Sequence, residues 1–495
     1  MKLVFEGHEE TYAIEQSLLN LFPAERPVYE GEEEKNRAVV SLKYTENGAV
    51  ARSRILYEGR EEAAECRASF RDCADDAYKK THEIQKALKL SFYRAAVKLL
   101  GAAPPWGALT GVRPAKLVTR LLGEGKTAKE VNRVLADTYE VSASRRRLAI
   151  EAAEVSRRLA ADIEDRDYSL YLGIPFCPTR CVYCSFVAES VEKSFALVEP
   201  YLKMLHKEID LSAAVVKDMG LRLRSFYMGG GTPTTLSAGQ MDELLAHLRE
   251  AFRFPEGLEL TVEAGRPDTM TREKLEVLKR NGVNRVSVNP QTMETHVLRA
   301  IGREHSPEDI VRAMDMVHAV GFRHINMDLI AGLPADSPAG FRRTLQEVLL
   351  LDADNITVHT LALKKGSRLL SEGAALPTAE EVGEMLAYSG GVLRKADYAP
   401  YYLYRQKYMS GSFENVGWCR EGAENLYNVY IMEELMTILS LGAGGSTKMV
   451  CPANGNIQRV FNCKYPREYI TREEKFSENL AIFRGFYETN FPHIF

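Results

Sequence analysis

From about residue 168 to residue 363, short apolar runs alternate with longer stretches in which apolar residues recur every three or four positions. The short runs predict β-strands, and the longer periodic stretches predict α-helices. The predicted strands are SLYLGI, LRSFYMG, LELTVEA, RVSVNP, HINMDLI and NITVHTLAL. The helical stretches between them include YLKMLHKEIDLSAAVV, QMDELLAHLREAF, TREKLEVLKRNG and FRRTLQEVLLL. Because each crossover is long enough for a helix, the pattern predicts β/α units and a parallel sheet.

Six such units favour one architecture. They predict an α/β fold built on a partial TIM-type (β/α)6 barrel, with a doubly wound open sheet as the alternative. In both architectures ligands collect at the carboxyl ends of the parallel strands. Residues that end or directly follow the predicted strands are therefore the candidates for a common site.

The first 165 residues follow a different pattern. KLVFEG, AVVSLKY and ARSRILYEG are short and rich in β-formers, and an amphipathic stretch from about residue 75 to residue 100 predicts a long helix. The Gly/Pro-rich PWGALTGVRP leads into another helical stretch, and TAKEVNRVLADTY and SASRRRLAIEAAEVSRRLAADI predict two more. This part of the chain is predicted to be a separate α/β domain.

Beyond residue 375 the pattern is mixed. A predicted helix, TAEEVGEMLAYSGGVLRKA, precedes the aromatic-rich YYLYRQKYMSGSFENVGWC, and further helical stretches are predicted to the end. The sequence thus predicts three domains: an N-terminal α/β accessory domain over 1–165, the barrel over 166–375 and a mixed C-terminal domain over 376–495.

Composition and charge exclude several classes of function. Of the 495 residues, 45% are hydrophobic and 27% charged, which is typical of a soluble globular protein. The net charge of -4 gives no indication of a nucleic-acid partner. No apolar run reaches the roughly 18–20 residues of a membrane span, and the first segment turns acidic too early for a signal peptide. We therefore expect a cytoplasmic protein.

The eight cysteines divide into two sets. Three of them, Cys177, Cys181 and Cys184, form C-x3-C-x2-C directly after the predicted strand SLYLGI. Three thiolates suit a cubane iron–sulfur cluster that keeps one iron open, whereas structural zinc prefers four protein ligands. Zinc and simple buried thiols are the alternatives. The dispersed cysteines are expected to be small buried hydrophobes: Cys66, Cys73, Cys419, Cys451 and Cys463.

Glycines and isolated polar residues mark the ends of other predicted strands. Gly229, Gly230 and Gly231 follow the second strand, where glycine lets the backbone approach a ligand, although an ordinary turn would also explain them. A carboxylate or amide on a central strand is costly to bury unless it is paired. Three such residues occur in the barrel strands or at their ends, and structural hydrogen bonding is the simpler explanation for any one alone: Glu263, Gln291 and Asp328.

These motifs together resemble a known family. C-x3-C-x2-C after the first strand of a partial barrel is the signature of radical S-adenosylmethionine (SAM) enzymes. YLGIPFCPTRCVYCSF, YMGGGTPTTL, VEAGRPDTM, RVSVNPQTMETHVLRAIGREH and INMDLIAGLP resemble, in that order, motifs of the anaerobic coproporphyrinogen III oxidase group. They cover about 170–365, and the N-terminal extension with PWGALTGVRP resembles the HemZ branch of the group.

The resemblance implies cofactors and the residues that bind them. A [4Fe–4S] cluster would be held by Cys177, Cys181 and Cys184, and one or two SAM molecules would bind beside it. An electron donor such as flavodoxin or ferredoxin is implied as a partner, and no catalytic residue is assigned. The implied SAM and cluster contacts are Tyr171, Tyr183, Gly230, Gly231, Thr232, Glu263, Gln291, Arg303, Asp328 and Ala362.

The implied activity is oxidative decarboxylation of a tetrapyrrole substrate. An electron from the cluster cleaves SAM, and the deoxyadenosyl radical takes hydrogen from the propionates of coproporphyrinogen III. Loss of CO2 and an electron then leaves vinyl groups, so the product is protoporphyrinogen IX. The C-terminal domain would lie on the substrate side.

Phe186 is where the chain departs from that pattern. The best-characterised members carry a further cysteine there, which is not a cluster ligand, and the related haem chaperones carry an aromatic residue. Phe186 therefore puts the second SAM pocket and the substrate in doubt, whereas the N-terminal extension favours the oxidase. A haem chaperone that binds haem, cluster and SAM is one alternative, and another radical reaction on a tetrapyrrole is a second.

Some residues have less specific predictions. The substrate carboxylates would need cations, for which Arg113, Lys116, Arg405 and Lys407 are candidates. LSLGAGGSTK has the wrong order and spacing for a phosphate loop and predicts a turn or a substrate-side loop. His305 and His359 are expected to be hydrogen-bonded structural residues.

Overall fold

The computed structural model describes residues 1–30, 35–71, 73, 76–186, 188–190, 194–364, 367–369, 375–406 and 410–495. The chain forms two compact units, Met1–Ile150 with Arg405–Phe413 and Glu151–Tyr404 with Glu414–Phe495. The division into three domains is finer than this and stays a prediction.

Within the described ranges the strands form three sheets. In chain order they are β1 (Lys2–Glu6), β2 (Arg37–Thr45), β3 (Gly48–Tyr57), β4 (Arg60–Ser69), β5 (Asp167–Ile174), β6 (Phe176–Cys177), β7 (Glu189–Ser190), β8 (Arg222–Gly230), β9 (Glu259–Gly265), β10 (Arg285–Val288), β11 (His324–Ala331), β12 (Asn355–Thr360), β13 (Ala399–Arg405), β14 (Glu414–Cys419), β15 (Thr437–Leu441), β16 (Ser446–Cys451) and β17 (Asn456–Phe461).

The α-helices of the described ranges fill most of the connections. They are Thr11–Leu21, Ala77–Leu100, Pro114–Gly123, Ala128–Arg133, Ala143–Ala160, Val198–Asp218, Ala238–Ala251, Arg272–Arg280, Thr295–Ala300, Pro307–Val320, Pro338–Leu350, Ala379–Lys395, Leu426–Glu433, Pro466–Thr471 and Glu474–Asn490. None of them combines the length and the apolarity needed to cross a bilayer.

The first unit contains a four-stranded sheet in the order β1-β2-β3-β4. Its three predicted strands and its long helix, Ala77–Leu100, are confirmed. Leu88, Phe92 and Ala96 of that helix are buried in the core that forms on the sheet. The sequence did not predict β4, because REEAAECRAS carries charged and small residues rather than β-formers.

The second unit contains the predicted barrel strands. Its sheet runs β13-β14-β12-β11-β10-β9-β8-β5-β15-β16-β17, so the six predicted strands are neighbours. They pair in parallel from β5 to β12, which confirms the (β/α)6 arrangement. The sheet continues past both ends: β14 pairs antiparallel with β12, and β15 pairs parallel with β5.

Capping residues fix where the barrel helices begin. Ser237, Ser306 and Thr378 each form a reciprocal capping box at the start of the following helix. Each box satisfies helix N–H groups that would otherwise lack an acceptor. Since the strands between the helices are parallel, their carboxyl ends lie together on one rim of the barrel.

The prediction of helical segments from the aromatic stretch to the end of the chain is wrong in part. The helices Leu426–Glu433 and Glu474–Asn490 form, but β15, β16 and β17 lie between them. TILSL is fully buried as β15, and such a short apolar run cannot be assigned to strand or helix by periodicity alone.

Candidate functional site

The cysteine loop follows β5 at the carboxyl-terminal rim. Cys177 ends the short strand β6, Cys181 is buried, and Cys184 is half-buried. The Cys184 N–H donates to the Cys181 carbonyl at 3.2 Å, and the Val182 N–H donates to the Ile301 carbonyl at 3.1 Å. Val182 also packs in an apolar cluster with residues of β11 and the segment after β12, so the loop is held from several sides.

The glycines after β8 lie against this loop. The Gly231 N–H donates to the Ile174 carbonyl and the Thr232 N–H to the Phe176 carbonyl, both at 2.7 Å. A Cβ on Gly231 would lie 2.5 Å from the Phe176 oxygen, so no larger residue fits there. The Thr232 hydroxyl lies 3.5 Å from the Cys177 sulfur and donates to it. Gly230, at φ +107°, is close to Ile174 and Tyr171.

Arg303 lies next to the cysteine loop. Its side chain is buried; one terminal nitrogen donates to the Asn289 carbonyl and the other to the Tyr183 hydroxyl at 3.3 Å. The pKa of Arg303 is raised because the nearby Tyr183 and Cys181 outweigh the effect of burial. The charge of Arg303 is therefore kept next to a predicted cluster ligand.

A stack of three tyrosines occupies the barrel interior below the rim. The Tyr227 and Tyr427 rings are 4.5 Å apart, and Tyr171 stacks on both at 6.1–6.3 Å. The Tyr227 hydroxyl donates to the Glu263 carboxylate. Burial raises the pKa of Glu263 to about 7, although this hydrogen bond acts in the opposite direction.

Gln291, three residues after β10, meets Asp328 of β11. The Gln291 N–H donates to the Asp328 carbonyl at 3.0 Å, and Gln291 has the strained φ of +67°. Burial raises the pKa of the Asp328 carboxyl, but the nearby His359 and hydrogen bonds from Asn326 and Thr357 bring it below its usual value. The His359 Nε2 is 3.8 Å from an Asp328 oxygen.

Two of the predicted residues lie at the edge of this arrangement. Ala362 is half-buried just after β12, beside Leu361 of the apolar cluster. The Phe186 side chain is 66% exposed, and its backbone N–H hydrogen-bonds with the Cys184 sulfur. Phe186 thus contacts the cysteine loop through its backbone rather than its ring.

The LGAGG segment forms the turn between β15 and β16, as predicted. The Gly442 N–H donates to the Glu208 carboxylate at 2.8 Å, and the Ala443 N–H donates to the Tyr201 hydroxyl at 3.1 Å. Tyr201 in turn donates to the Gly173 carbonyl at 2.6 Å. With these N–H groups occupied by the protein, the turn does not have the open donors of a phosphate loop.

Buried polar atoms without a partner test whether a cofactor fits the site. In the described residues, such atoms include Asn289 Oδ1, Gln291 Oε1, Arg303 Nε, Asn326 Oδ1 and both ring nitrogens of His305. Unpaired buried groups are costly, so a set of them on β11 and after β10 fits a polar ligand that supplies the missing partners. The sequence predicts a hydrogen-bonded His305, but neither of its ring nitrogens has a partner among the described residues, so this prediction is wrong there.

The cysteines fit a cluster rather than a single ion. Within the described part of the chain, no three His, Cys, Asp or Glu side chains converge on a point that one metal ion could occupy. In a cubane cluster each thiolate binds a different iron, so such convergence is not needed. Burial raises the pKa of the Cys177 thiol to about 11, and binding to iron would stabilise its thiolate.

Several residues of the site were not predicted from the sequence. Tyr227 and Tyr427 complete the tyrosine stack, and Arg266 donates to Thr179 inside the cysteine loop. Asn289 precedes Gln291 by two positions, and its place at the end of an apolar strand is the signal that could have identified it.

A cavity of about 860 Å³ lies at the opposite, amino-terminal ends of the strands. Its lining includes Lys217, Arg253 and Arg323, which lie at or just beyond the carboxyl ends of helices. Positive charge complements the carbonyl groups of helix ends, so these cations have a structural explanation. We assign no ligand to this cavity.

Comparisons with known proteins agree with this arrangement. The radical SAM superfamily model matches residues 171–348. The oxygen-independent coproporphyrinogen-III oxidase-like protein HemZ of Bacillus subtilis (strain 168) is 35% identical over 473 residues, covering 94% of this chain and 93% of the relative.

Other relatives match over about half of this chain. The haem chaperone HemW of B. subtilis is 33% identical over 44% of this chain and 57% of the relative. The oxygen-independent coproporphyrinogen III oxidase of Bradyrhizobium diazoefficiens is 33% identical over 50% of this chain and 55% of the relative.

Among solved structures, the coproporphyrinogen III oxidase HemN from Escherichia coli has the same fold, with a TM-score of 0.52 at 24% identity. The match covers 65% of this chain and 72% of HemN. The family implies a [4Fe–4S] cluster and SAM. The chain belongs to the radical SAM superfamily and, within it, to the family of the oxygen-independent coproporphyrinogen-III oxidase-like protein HemZ.

Proposed function

We propose that this protein is an oxygen-independent coproporphyrinogen III dehydrogenase that acts in haem biosynthesis. Two propionates of coproporphyrinogen III are oxidatively decarboxylated to vinyl groups, which gives protoporphyrinogen IX. The observation that carries the proposal is the likeness to the coproporphyrinogen-III oxidase-like HemZ, which includes the N-terminal region as well as the barrel.

The residues of the rim have distinct roles in this proposal. When bound, the [4Fe–4S] cluster and SAM supply a carbon-centred radical that takes a hydrogen atom from a propionate β-carbon. Cys177, Cys181 and Cys184 hold the cluster, and the Thr232 hydroxyl donates to the Cys177 thiolate. Arg303 forks onto a SAM carboxylate through donors that include its unpaired Nε.

The barrel interior binds the rest of SAM. Gln291 offers its unpaired amide oxygen, and Asp328 offers a carboxylate whose pKa is lowered by hydrogen bonds. The stacked ring of Tyr171 and the residues around it exclude water from the reacting centre. Whether one or two SAM molecules bind is measured as the SAM stoichiometry of the reconstituted protein.

Of the cations suggested for the substrate carboxylates, Arg405 is the least suitable. Its guanidinium donates to the Leu109 and Ser412 carbonyls and lies 5.7 Å from the centre of the Trp106 ring. Arg113 and Lys116 remain candidates, and Lys407 lies outside the described residues.

A haem chaperone is the second candidate. The HemW relatives support it, and so does Phe186, which is exposed beside the cysteine loop and free to contact a bound tetrapyrrole. A chaperone would keep the cluster and SAM but would transfer haem without changing it. Another radical reaction on a tetrapyrrole is a third candidate.

An anaerobic assay distinguishes the candidates. Reconstituted full-length protein is incubated with SAM, a reductant such as reduced flavodoxin and coproporphyrinogen III, with Cys181→Ala as the control. We expect protoporphyrinogen IX and two 5′-deoxyadenosines for each product molecule. Deoxyadenosine without turnover, together with tight haem binding, would overturn the dehydrogenase in favour of the chaperone.

A further inference from the structure

Arg266 occupies a buried position directly behind the cysteine loop. It follows β9, and its side chain is only 4% exposed. Its backbone is fixed as well: the Arg266 N–H donates to the Ala264 carbonyl at 2.7 Å, and the Thr269 hydroxyl donates to the Arg266 carbonyl at 2.9 Å. A buried guanidinium needs partners for all its nitrogens.

Those partners lie in two places. Arg266 Nε and Nη2 donate to the two oxygens of Asp268 at 3.0 and 2.6 Å, which forms a bidentate ion pair. Arg266 Nη1 donates to the Thr179 carbonyl at 3.1 Å and to the Thr179 hydroxyl at 2.7 Å. Thr179 is the central residue of the three that separate Cys177 from Cys181, so Arg266 holds the middle of the cysteine loop.

Arg266 also places a buried positive charge close to the cysteines, because its hydrogen bonds hold it to Thr179, two residues from both Cys177 and Cys181. Arg303 is a second buried cation, and it lies near Cys181. The potential of an iron–sulfur cluster depends on net charge and hydrogen bonding around it.

We propose that the Arg266–Asp268 pair is a positioning device that fixes the Cys177–Cys181 interval and sets the reduction potential of the cluster. Arg266 raises the potential because its charge stabilises the reduced, more negative cluster. Asp268 orients Arg266 and lowers the potential. The proposal rests on the cluster assignment made above, but its geometric part concerns the cysteine loop alone.

Redox titrations followed by electron paramagnetic resonance test the charge. Removing either partner breaks the same ion pair, so a purely structural role would move both variants in the same direction. We expect Arg266→Gln to shift the midpoint potential of the reconstituted full-length protein to more negative values and Asp268→Asn to shift it to more positive values. Arg266→Lys keeps the charge and should stay near the wild-type potential.

A surface pair provides the matched control. Arg280 and Asp242 form an ion pair at 2.9 Å, with the Arg280 side chain 61% exposed. Solvent and salt screen such a pair, so Arg280→Gln should leave the cluster potential unchanged. If the midpoint potentials of Arg266→Gln and Asp268→Asn shift in the same direction, or if neither shifts, the charge proposal is overturned.

Proteolysis of the cluster-free protein tests the geometry independently. Arg180 is exposed in the same loop, and trypsin cleaves after it when the loop opens. Arg266→Gln should speed this cleavage several-fold, whereas Arg280→Gln should not. Unchanged cleavage would overturn the geometric part. If the wild-type protein takes up no cluster, the proposed function fails, while this test of Arg266 still stands.

Discussion

Two buried polar groups in the second unit differ in how completely they are hydrogen-bonded. In the Glu208 group, the carboxylate accepts hydrogen bonds from the Gly442 N–H, Asn462 Nδ2 and the Tyr469 hydroxyl. In the Gln291 group, formed by Asn289, Gln291, Arg303 and His305, every side chain keeps an atom without a partner in the described residues.

This difference distinguishes a structural group, around Glu208, from a candidate ligand-binding group, around Gln291. The Glu208 group includes the glycine-rich turn Gly442–Gly445, which looks like Gly229–Gly231 in sequence. The Glu208 group is complete without a ligand, because the protein itself supplies its acceptors and donors. The Gln291 group lies behind the cysteine loop and lacks partners that a polar cofactor would provide.

The largest expected effect comes from removing a cluster ligand. Cys181→Ala should abolish both the cluster absorbance and the release of 5′-deoxyadenosine, because two thiolates hold a cubane cluster poorly. Cys451→Ala, a buried cysteine in β16, is the control and should retain both. Retained SAM cleavage in Cys181→Ala would contradict the assignment of the site.

Removing the Glu208 carboxylate should lower the free energy of unfolding. Glu208→Ala leaves the buried Gly442 N–H and Tyr469 hydroxyl without an acceptor, whereas Asn462 Nδ2 keeps the Gly442 carbonyl, and the loss costs about 3–5 kcal/mol of unfolding free energy. The melting temperature of the full-length protein measures this loss. The exposed Glu243 is the matched control, and Glu243→Ala should change stability by less than about 0.5 kcal/mol.

A substitution in the Gln291 group should weaken ligand binding more than it lowers stability. Gln291→Leu removes the unpaired amide oxygen but keeps the backbone bonds to β11, so the cofactor-free protein should lose less than about 1 kcal/mol. SAM binding, measured by calorimetry, should weaken about tenfold, since one lost hydrogen bond in a buried site is worth about 1.4 kcal/mol. Unchanged SAM affinity would show that the unpaired atoms do not mark the site.

The Glu208 group also predicts a dependence of stability on pH. Burial raises the pKa of Glu208 from 4.5 to about 7, against the opposing effect of its hydrogen bonds. The folded protein therefore binds a proton that the unfolded chain has lost, so this stability is complete below pH 4.5 and disappears as the pH rises through 7.

The expected change between pH 5 and pH 8 is at most about 3 kcal/mol. Glu208→Gln should flatten part of the melting-temperature profile, because Glu263, with a pKa of about 7 for the same reason, contributes as well. Parallel profiles for the wild-type and variant proteins would contradict the prediction.

The smallest effect is expected at Phe186. Its ring is exposed and its contact with Cys184 is made by the backbone, so Phe186→Ala should leave cluster content and SAM cleavage within about twofold of wild type. If Phe186 contributes to substrate choice, haem or coproporphyrinogen binding changes instead. Loss of the cluster in this variant would assign the ring a structural role.

The sequence predicted the six barrel strands because SLYLGI and its counterparts are apolar runs separated by periodic helices. The cysteine triplet and the polar residues at strand ends could be predicted because they end or closely follow these apolar runs. Arg266 and Tyr427 were not predicted, because nothing in a single sequence tells which charged or aromatic residue the fold brings to the site. The strands β15 to β17 were missed because their short runs fit helix and strand alike.

The pairing of β5 with β15 has a consequence for how the protein is made. Leu170 of β5 lies opposite Leu439 of β15, so the second neighbour of the strand that leads into the cysteine loop is synthesised about 270 residues after it. At roughly 5–20 residues per second, ribosomes need on the order of 15–50 s to cover that interval. During this time one edge of β5 has no partner and is prone to wrong pairing. Insertion of iron and sulfide into a finished site therefore belongs after translation of the last strands, when β5 is enclosed on both sides.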